Sequence, residues 1–117
     1  MGKVPDGTEV FRQGRKIVVC VGGYHTQEAA VQASQHVAAF VAEINGPVEV
    51  ICDMTKMTGF MADARFSWQN VLKKVRHNVT LITLVQGTAI ARMTAITVGL
   101  YAGIKVRSVG TLDEALK

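Results

Sequence analysis

Apolar residues run together or alternate with polar ones in five short stretches of the chain. Such runs are typical of β-strands, whereas apolar residues that recur at three- and four-residue steps indicate one face of a helix. By this criterion the sequence predicts five strands, at residues 8–12, 16–21, 48–52, 80–85 and 104–109. The first two flank Gln13-Gly14-Arg15 and predict a β-hairpin.

Helical spacing fills the stretches between the later strands. Thr26 is the expected N-cap of the first helix, and Gly46-Pro47 ends it, because glycine and proline commonly follow a helix. Gly103 is expected to stop the third helix, which Thr88 caps. The predicted apolar faces are Ala30, Ala33, Val37, Phe40, Val41 and Ile44; then Met61, Ala64, Trp68, Val71, Leu72 and Val75; then Ala89, Met93, Ile96, Thr97 and Leu100.

A short fourth helix is predicted at the end of the chain, over Leu112–Leu116. Thr111 and Glu114 have the spacing of a capping box, in which the two side chains satisfy each other's backbone donors. After the second helix, Asn78 is expected to supply a left-handed residue.

The resulting order, β-β-α-β-α-β-α-β-α, predicts an α/β fold. Alternating strands and helices require parallel pairing with right-handed crossovers, and the leading hairpin adds one antiparallel strand. We therefore expect a single domain over residues 8–117, with helices packed on a mixed, mostly parallel five-stranded sheet, and a flexible N-terminus over residues 1–7. Its expected buried strand residues are Val18, Val50, Ile51, Leu81, Ile82 and Leu84.

The connection at residues 55–64 is unusually apolar for a loop. It follows a probable central strand, at the sheet edge where open α/β folds usually bind ligands and partners. One interpretation is that Phe60 and Met61 fold back and cap the core. The other is that the loop is a binding surface. Phe66 cannot share a helix face with Leu72 and Val75, and we expect it to be partly exposed and available to a partner subunit.

Composition narrows the possible functions. A net charge of +4 is below that of a dedicated nucleic-acid binder. The basic cluster at residues 73–77 lies in the last turn of a predicted helix, where cations stabilise the negative end of the helix dipole, and this structural role accounts for it. No apolar run approaches the roughly 20 residues that span a bilayer, and no secretory signal is visible. A cytoplasmic protein without nucleic-acid binding or stable membrane insertion is expected.

Candidate catalytic pairs are weak. Asp53 and Asp63 flank the loop and could form a carboxylate pair, but they are better explained as turn and capping residues. Two cysteines have a polar neighbour, Asp53 for Cys52 and His25 for Cys20. Both cysteines lie in predicted buried strands. The cysteines and the three histidines show no zinc-ligand spacing. We therefore expect no enzyme activity, no metal and no cofactor.

The segment 48–75 contains a strand that ends in Ile51-Cys52-Asp53, then the loop and the following helix. This arrangement resembles the STAS superfamily of sulfate transporters and anti-sigma-factor antagonists. The likeness is greatest to its stand-alone bacterial SpoIIAA-like branch, often described as similar to lipid-carrier (CRAL-TRIO) domains. The strand at 81–85 and the tail ending Asp113-Glu114-Ala115-Leu116 fit the same pattern. The resemblance implies a non-enzymatic regulatory module that binds proteins or a small ligand.

Phosphorylatable members of that superfamily carry Asp-Ser-Ser/Thr-Gly in this loop. Here Asp63 matches the aspartate, but Ala64 and Arg65 follow it and offer no hydroxyl. The resemblance thus implies a STAS-type module without the phosphorylatable motif.

Two functions remain open from the sequence. The first is a regulatory protein-interaction module, expected to form a homodimer or to bind another protein. The second is a carrier of a small apolar or anionic, lipid-like ligand, with a pocket formed by Met54, Met57, Phe60, Met61 and Met93, because methionine suits adaptable apolar surfaces. The predicted binding residues are Asp53, Thr55, Met57, Thr58, Phe60, Met61, Asp63 and Phe66.

Overall fold

The computed structural model describes residues 2–4 and 6–117. Its strands are β1 (Gly2–Lys3), β2 (Glu9–Gln13), β3 (Lys16–Cys20), β4 (Tyr24–His25), β5 (Val48–Asp53), β6 (Gly59–Phe60), β7 (Val79–Val85) and β8 (Val106–Val109). Its helices are α1 (Gln27–Ile44), α2 (Ala64–Val75), α3 (Ala89–Ala102) and α4 (Leu112–Leu116).

The main sheet has the strand order β1-β2-β3-β5-β7-β8. Strands β3, β5, β7 and β8 are parallel, and β1 and β2 are antiparallel to their neighbours. The five predicted strands are all present in the predicted order, and the α/β class with a mostly parallel sheet is confirmed. β1 adds a sixth strand of two residues that no sequence pattern predicted.

The N-terminal segment, which we expected to be flexible over residues 1–7, contributes to the fold where it is described. Gly2 and Lys3 pair with Val10 and Glu9. Val4 is buried, and the carboxylate of Asp6 lies 3.0 Å from the ring of His25. The expectation for Met1 and Pro5 lies outside the described residues.

Most helix ends follow the predicted caps. The hydroxyls of Thr26, Thr88 and Thr111 accept hydrogen bonds from backbone N–H groups three residues on, and Gly103 ends α3 with a φ of 76°. Helix α1 ends at Ile44, just before the predicted Gly46-Pro47 stop, and Asn45 is its left-handed cap. One prediction was wrong: the only described non-glycine residues with positive φ are Asn45 and Gln86, so Asn78 is not left-handed.

The sheet is covered unequally on its two faces. The larger core lies between one face and helices α1, α2 and α3, and contains Ile17, Val50 and Ile82. The smaller core lies on the other face, where Val18, Ile51 and Val85 pack against Ala115 of α4. Leu81 was predicted to be buried but is only half-buried, while its neighbours Ile82 and Thr83 are buried.

Helix α3 leaves its largest apolar residues exposed instead of burying them against the sheet. It packs through small side chains, including Ala91, Gly99 and Ala102, while Met93 and Leu100 face solvent. Gly99 has a steric role, because a Cβ atom there would overlap Cγ2 of Val106 in β8. None of the described helices combines the length and apolarity that crossing a bilayer requires.

Candidate functional site

The loop after β5 begins with a turn held by Asp53. Its carboxylate oxygen Oδ1 accepts hydrogen bonds from the backbone N–H and the hydroxyl of Thr55, at 3.0 and 2.5 Å. This pattern is an Asx-type turn, in which the aspartate side chain satisfies its own backbone two residues on. The role of Asp53 in the turn accounts for its place at the end of the strand.

The loop then forms a second, two-stranded sheet with the segment after β3. Strands β4 and β6 are parallel, with Tyr24 opposite Gly59 and His25 opposite Phe60. Flanking backbone bonds, from Thr58 N–H to Gly23 and from Met61 N–H to His25, extend the pairing at 2.9 Å each. The Tyr24 ring lies against Gly59, and a Cβ at that position would come within 3.1 Å of it.

Beneath this small sheet lies an apolar cavity of about 100 Å³, between the carboxyl ends of β3, β5 and β7 and helices α2 and α3. Met54, Met57, Phe60, Trp68 and Leu84 contribute to its walls, and His25, Arg65 and Thr94 are its polar or charged lining residues. Met54 is buried and its side chain contacts Gly87 in the next strand-to-helix loop. The inner half of the loop is thus a cover for the core.

A chain of buried polar groups closes one side of the cavity. Nε1 of Trp68 donates a hydrogen bond to Nε2 of His25 at 3.0 Å, and Nδ1 of His25 lies 3.0 Å from Oδ2 of Asp6. Because an indole nitrogen can only donate, His25 accepts at Nε2 and carries its proton on Nδ1, which donates to Asp6. His25 is 5% exposed.

Asp6 is stabilised as a carboxylate in this position. Burial opposes its ionised form, but hydrogen bonds from Thr8 and His25 outweigh that effect and lower the pKa of Asp6 below its ordinary value. No sequence pattern predicted these contacts. Asp6 lies in the predicted flexible terminus, and no local pattern connects it with His25 or with Trp68.

The outer half of the loop and the start of α2 form an exposed surface, which we call the loop surface and define by Thr55, Thr58, Met61, Asp63 and Phe66. Phe66 is 47% exposed, as predicted, and Met61 is 38% exposed. The guanidinium of Arg65 lies 4.9 Å from the centre of the Phe66 ring. Asp63 precedes α2 but makes no capping hydrogen bond, so its carboxylate is left exposed for other contacts.

The two cysteines are poor nucleophiles. Burial, followed by the charge of Asp53, raises the pKa of Cys52 to about 12, and its residual accessible surface faces the cavity. Burial and the charges of Asp53 and Glu9 also raise the pKa of Cys20. Both thiols therefore stay protonated at neutral pH, whereas a reactive cysteine needs its thiolate. In the part of the chain that the structure describes, no three His, Cys, Asp or Glu side chains are grouped to hold a metal.

The predicted binding residues are consequently divided by the fold. Met57 and Phe60 are half-buried and line the cavity, and Asp53 serves the turn, while the five residues of the loop surface lie outside. The prediction of a Met-rich pocket is correct only in part. Met54, Met57 and Phe60 line it, but Met61 and Met93 are exposed on the surface and do not.

The sequence matches no protein-family model and no curated protein. Solved structures match closely in fold. A protein of unknown function from Shewanella loihica, of the DUF3478 family and with a SpoIIAA-like fold, is 13% identical, with a TM-score of 0.69 over 93% of this chain and 89% of that one.

The anti-sigma factor antagonist SpoIIAA in its unphosphorylated form is 10% identical, with a TM-score of 0.70 over 93% of this chain and 94% of that one. The Bacillus cell fate determinant SpoIIAA in its phosphorylated form is 15% identical, with a TM-score of 0.60 over 93% and 96%. The chain therefore has a SpoIIAA-like fold, as the resemblance to the STAS superfamily implied.

Proposed function

We propose that this chain is a non-enzymatic regulatory module of STAS type that acts in the cytoplasm by binding another protein, or a second copy of itself, through the loop surface. The observation that carries the proposal is the exposure of Met61 and Phe66 at the carboxyl edge of the sheet. Exposed aromatic and methionine side chains are enriched at protein interfaces. The fold is shared with an anti-sigma factor antagonist, a protein named for its action on another protein.

Regulation by phosphorylation at the start of α2 is not part of the proposal. Asp63 directly precedes the helix, but the next residue, Ala64, has no hydroxyl and is 1% exposed. Any control of this module has to come from binding or from another position.

The alternative, a carrier of a small apolar or lipid-like ligand, is supported by the apolar lining of the cavity. Its volume argues against a large ligand, because about 100 Å³ is well below the roughly 300–1,000 Å³ of typical ligand pockets. A lipid-like molecule would have to displace Phe60 or the β4–β6 cover. For this reason we favour the interaction module.

A photo-crosslinking experiment in cells of the source organism tests the loop surface. A benzophenone side chain is placed at Met61 or Phe66, with Val31 on α1 as the control because it is also exposed and apolar. We expect one discrete crosslinked product at positions 61 and 66 and none at 31. A product of twice the mass of the chain identifies the homodimer, which sedimentation at high micromolar concentration then confirms.

Substitutions separate binding from folding. Met61→Ser and Phe66→Ser should change the free energy of unfolding by at most about 0.5 kcal/mol, because both side chains are exposed. Phe60→Ser should lower it by roughly 1.5–3 kcal/mol, because that side chain packs against the core. Crosslinking equal at 31, 61 and 66 would contradict the proposal, and native mass spectrometry showing retained ligand would favour the carrier.

A further inference from the structure

The outward face of α3 is the most exposed apolar surface on the described part of the chain. Ile90, Met93 and Leu100 are 70%, 67% and 73% exposed, and Ile96 and Tyr101 lie beside them. Small residues occupy the packed side of the helix, so these large side chains are left without partners in the monomer. Contiguous exposed apolar patches of this kind often mark interaction sites.

The spacing on this face fits a helical partner. Ile90, Met93, Thr97 and Leu100 follow one another at steps of three, four and three residues, which is the spacing of the packing positions in a coiled coil. We call these four residues the α3 seam. At a rise of about 1.5 Å per residue the seam is roughly 15 Å long, enough for about three turns of a second helix.

A cleft runs along one side of the seam. It is lined by Arg65 of α2 together with Ile90, Met93, Thr94 and Thr97 of α3. A groove between two helices accommodates the side-chain ridge of a third. The cleft is concave, and the polar Thr97 lies in the middle of the seam. Both features fit a partner helix better than they fit a lipid bilayer, which is flat and has an apolar interior.

The charge around the seam is of one sign. Arg65 lies in the cleft and the ammonium of Lys73 is 5.0 Å from the centre of the Tyr101 ring, so both cations border the same side of the seam. Arg92 is exposed on α3 itself. No Asp or Glu occurs in segment 64–112, which includes α2 and α3. Arg107, which also belongs to this segment, pairs with Glu49 on the other face of the sheet and does not contribute to the charge of the seam.

We propose that the α3 seam binds an amphipathic helix of another protein whose apolar stripe is bordered by Asp and Glu. A second copy of this chain is disfavoured at the seam, because pairing of two α3 helices would bring cations against cations, and like charges across an interface oppose association. The inference rests on the proposed function only in treating the chain as a protein-binding module. The α3 seam and the loop surface share no residue.

Two synthetic helical peptides test the charge preference on the full-length chain. Both carry leucine at the seam-matching positions of three to four turns, and they differ only in flanking residues, glutamate in one and lysine in the other. We expect fluorescence anisotropy to show at least about tenfold tighter binding of the glutamate peptide at low salt, with a difference that shrinks as salt rises.

Substitutions on the protein locate the binding. Met93→Gln with Leu100→Gln should weaken the glutamate peptide by about tenfold or more, whereas Val31→Gln on α1 should leave it unchanged. Arg65→Glu should reduce the preference for the glutamate peptide over the lysine peptide. The replaced side chains are exposed, so thermal unfolding should be unaltered and verifies that each variant folds.

Several results would overturn the inference. Equal binding of the two peptides, or binding unaffected by Met93→Gln with Leu100→Gln, removes the seam as an acidic-helix site. Sedimentation with phosphatidylglycerol vesicles but no peptide binding assigns the face to lipid. A dimer abolished by Leu100→Gln assigns it to a second copy. Crosslinking at Phe66 is independent of all these results, so the loop-surface proposal can fail or succeed separately.

Discussion

At the scale of single residues, the site is most constrained by two linked contacts, from Asp6 to His25 and from His25 to Trp68. They tie the N-terminal segment, β4 and α2 together beneath the loop. Each member has a defined role, because the indole can only donate and the buried carboxylate can only accept. A buried network that is fully paired stabilises one arrangement, and losing one member leaves the others unsatisfied.

Trp68→Phe tests this network while keeping an aromatic ring in the cavity wall. The substitution leaves Nε2 of His25 without a donor, and an unpaired buried acceptor costs about 1–3 kcal/mol of unfolding free energy. Urea unfolding followed by circular dichroism measures the loss. Tyr101→Phe, at an exposed aromatic position, is the control and should change stability by less than about 0.5 kcal/mol. Equal effects for the two variants would mean that the hydrogen bond to His25 contributes nothing.

At the scale of elements, the packing of α3 determines both the cavity and the exposed seam. The helix approaches the sheet closely because Gly99 faces Val106, and the alanines on the same side add little bulk. This close approach turns Met93 and Leu100 outward. The residues predicted to form the apolar face of the third helix do share one side of it, but all five face solvent instead of the core.

Gly99→Ala tests the close approach of α3 to β8. The added methyl group overlaps Val106, and overpacking of a core typically costs about 1–3 kcal/mol of unfolding free energy. Val106→Ala removes the obstructing methyl groups, so the double variant should be more stable than the sum of the two single effects. Chemical denaturation of all four proteins measures the coupling. Strict additivity would show that Gly99 is not in contact with Val106 in solution.

At the scale of the whole molecule, two partly buried carboxylates join segments that are distant in sequence. Asp6 holds the N-terminal segment to β4 through His25. Glu49, on the face of the sheet that α4 partly covers, accepts from Thr83 at 2.5 Å and from Arg107 at 3.2 Å and lies 3.4 Å from Lys16. Burial opposes the charge of Glu49, but the hydrogen bonds from Thr83 and Arg107 and the charge of Lys16 lower its pKa below the ordinary 4.5.

These lowered pKa values predict a loss of stability in acid. A carboxylate whose pKa is lower in the folded protein than in the unfolded chain adds stability at pH values above its ordinary pKa. That stability is lost as the pH falls below 4.5 for Glu49 and below 3.8 for Asp6. Urea unfolding between about pH 7 and pH 3 should therefore show falling stability in acid. Glu49→Gln should reduce this acid dependence, and an unchanged pH profile in that variant would contradict the pairing.

The sequence by itself determined the elements and their order. Strand periodicity, the threonine caps and the glycine stop are local signals, since each depends on residues within a few positions of one another. The fold class therefore followed from the pattern, and so did the exposure of Phe66, which helical geometry separates from Leu72. The left-handed residue at Asn45 was missed because Asn and Gly compete for that position, and neighbouring residues alone do not decide between them.

Only the tertiary structure decided which half of the loop is covered and which helix face is free. Pairing of β6 with β4 leaves Met57 and Phe60 half-buried and Met61 exposed, and this pairing joins segments more than thirty residues apart. The chain of contacts from Asp6 to Trp68 and the outward turn of Met93 depend likewise on partners remote in sequence. Periodicity identifies residues that share a face, but whether a face meets the sheet or the solvent depends on how closely backbones can approach. At α3 that distance is set by Gly99 against Val106.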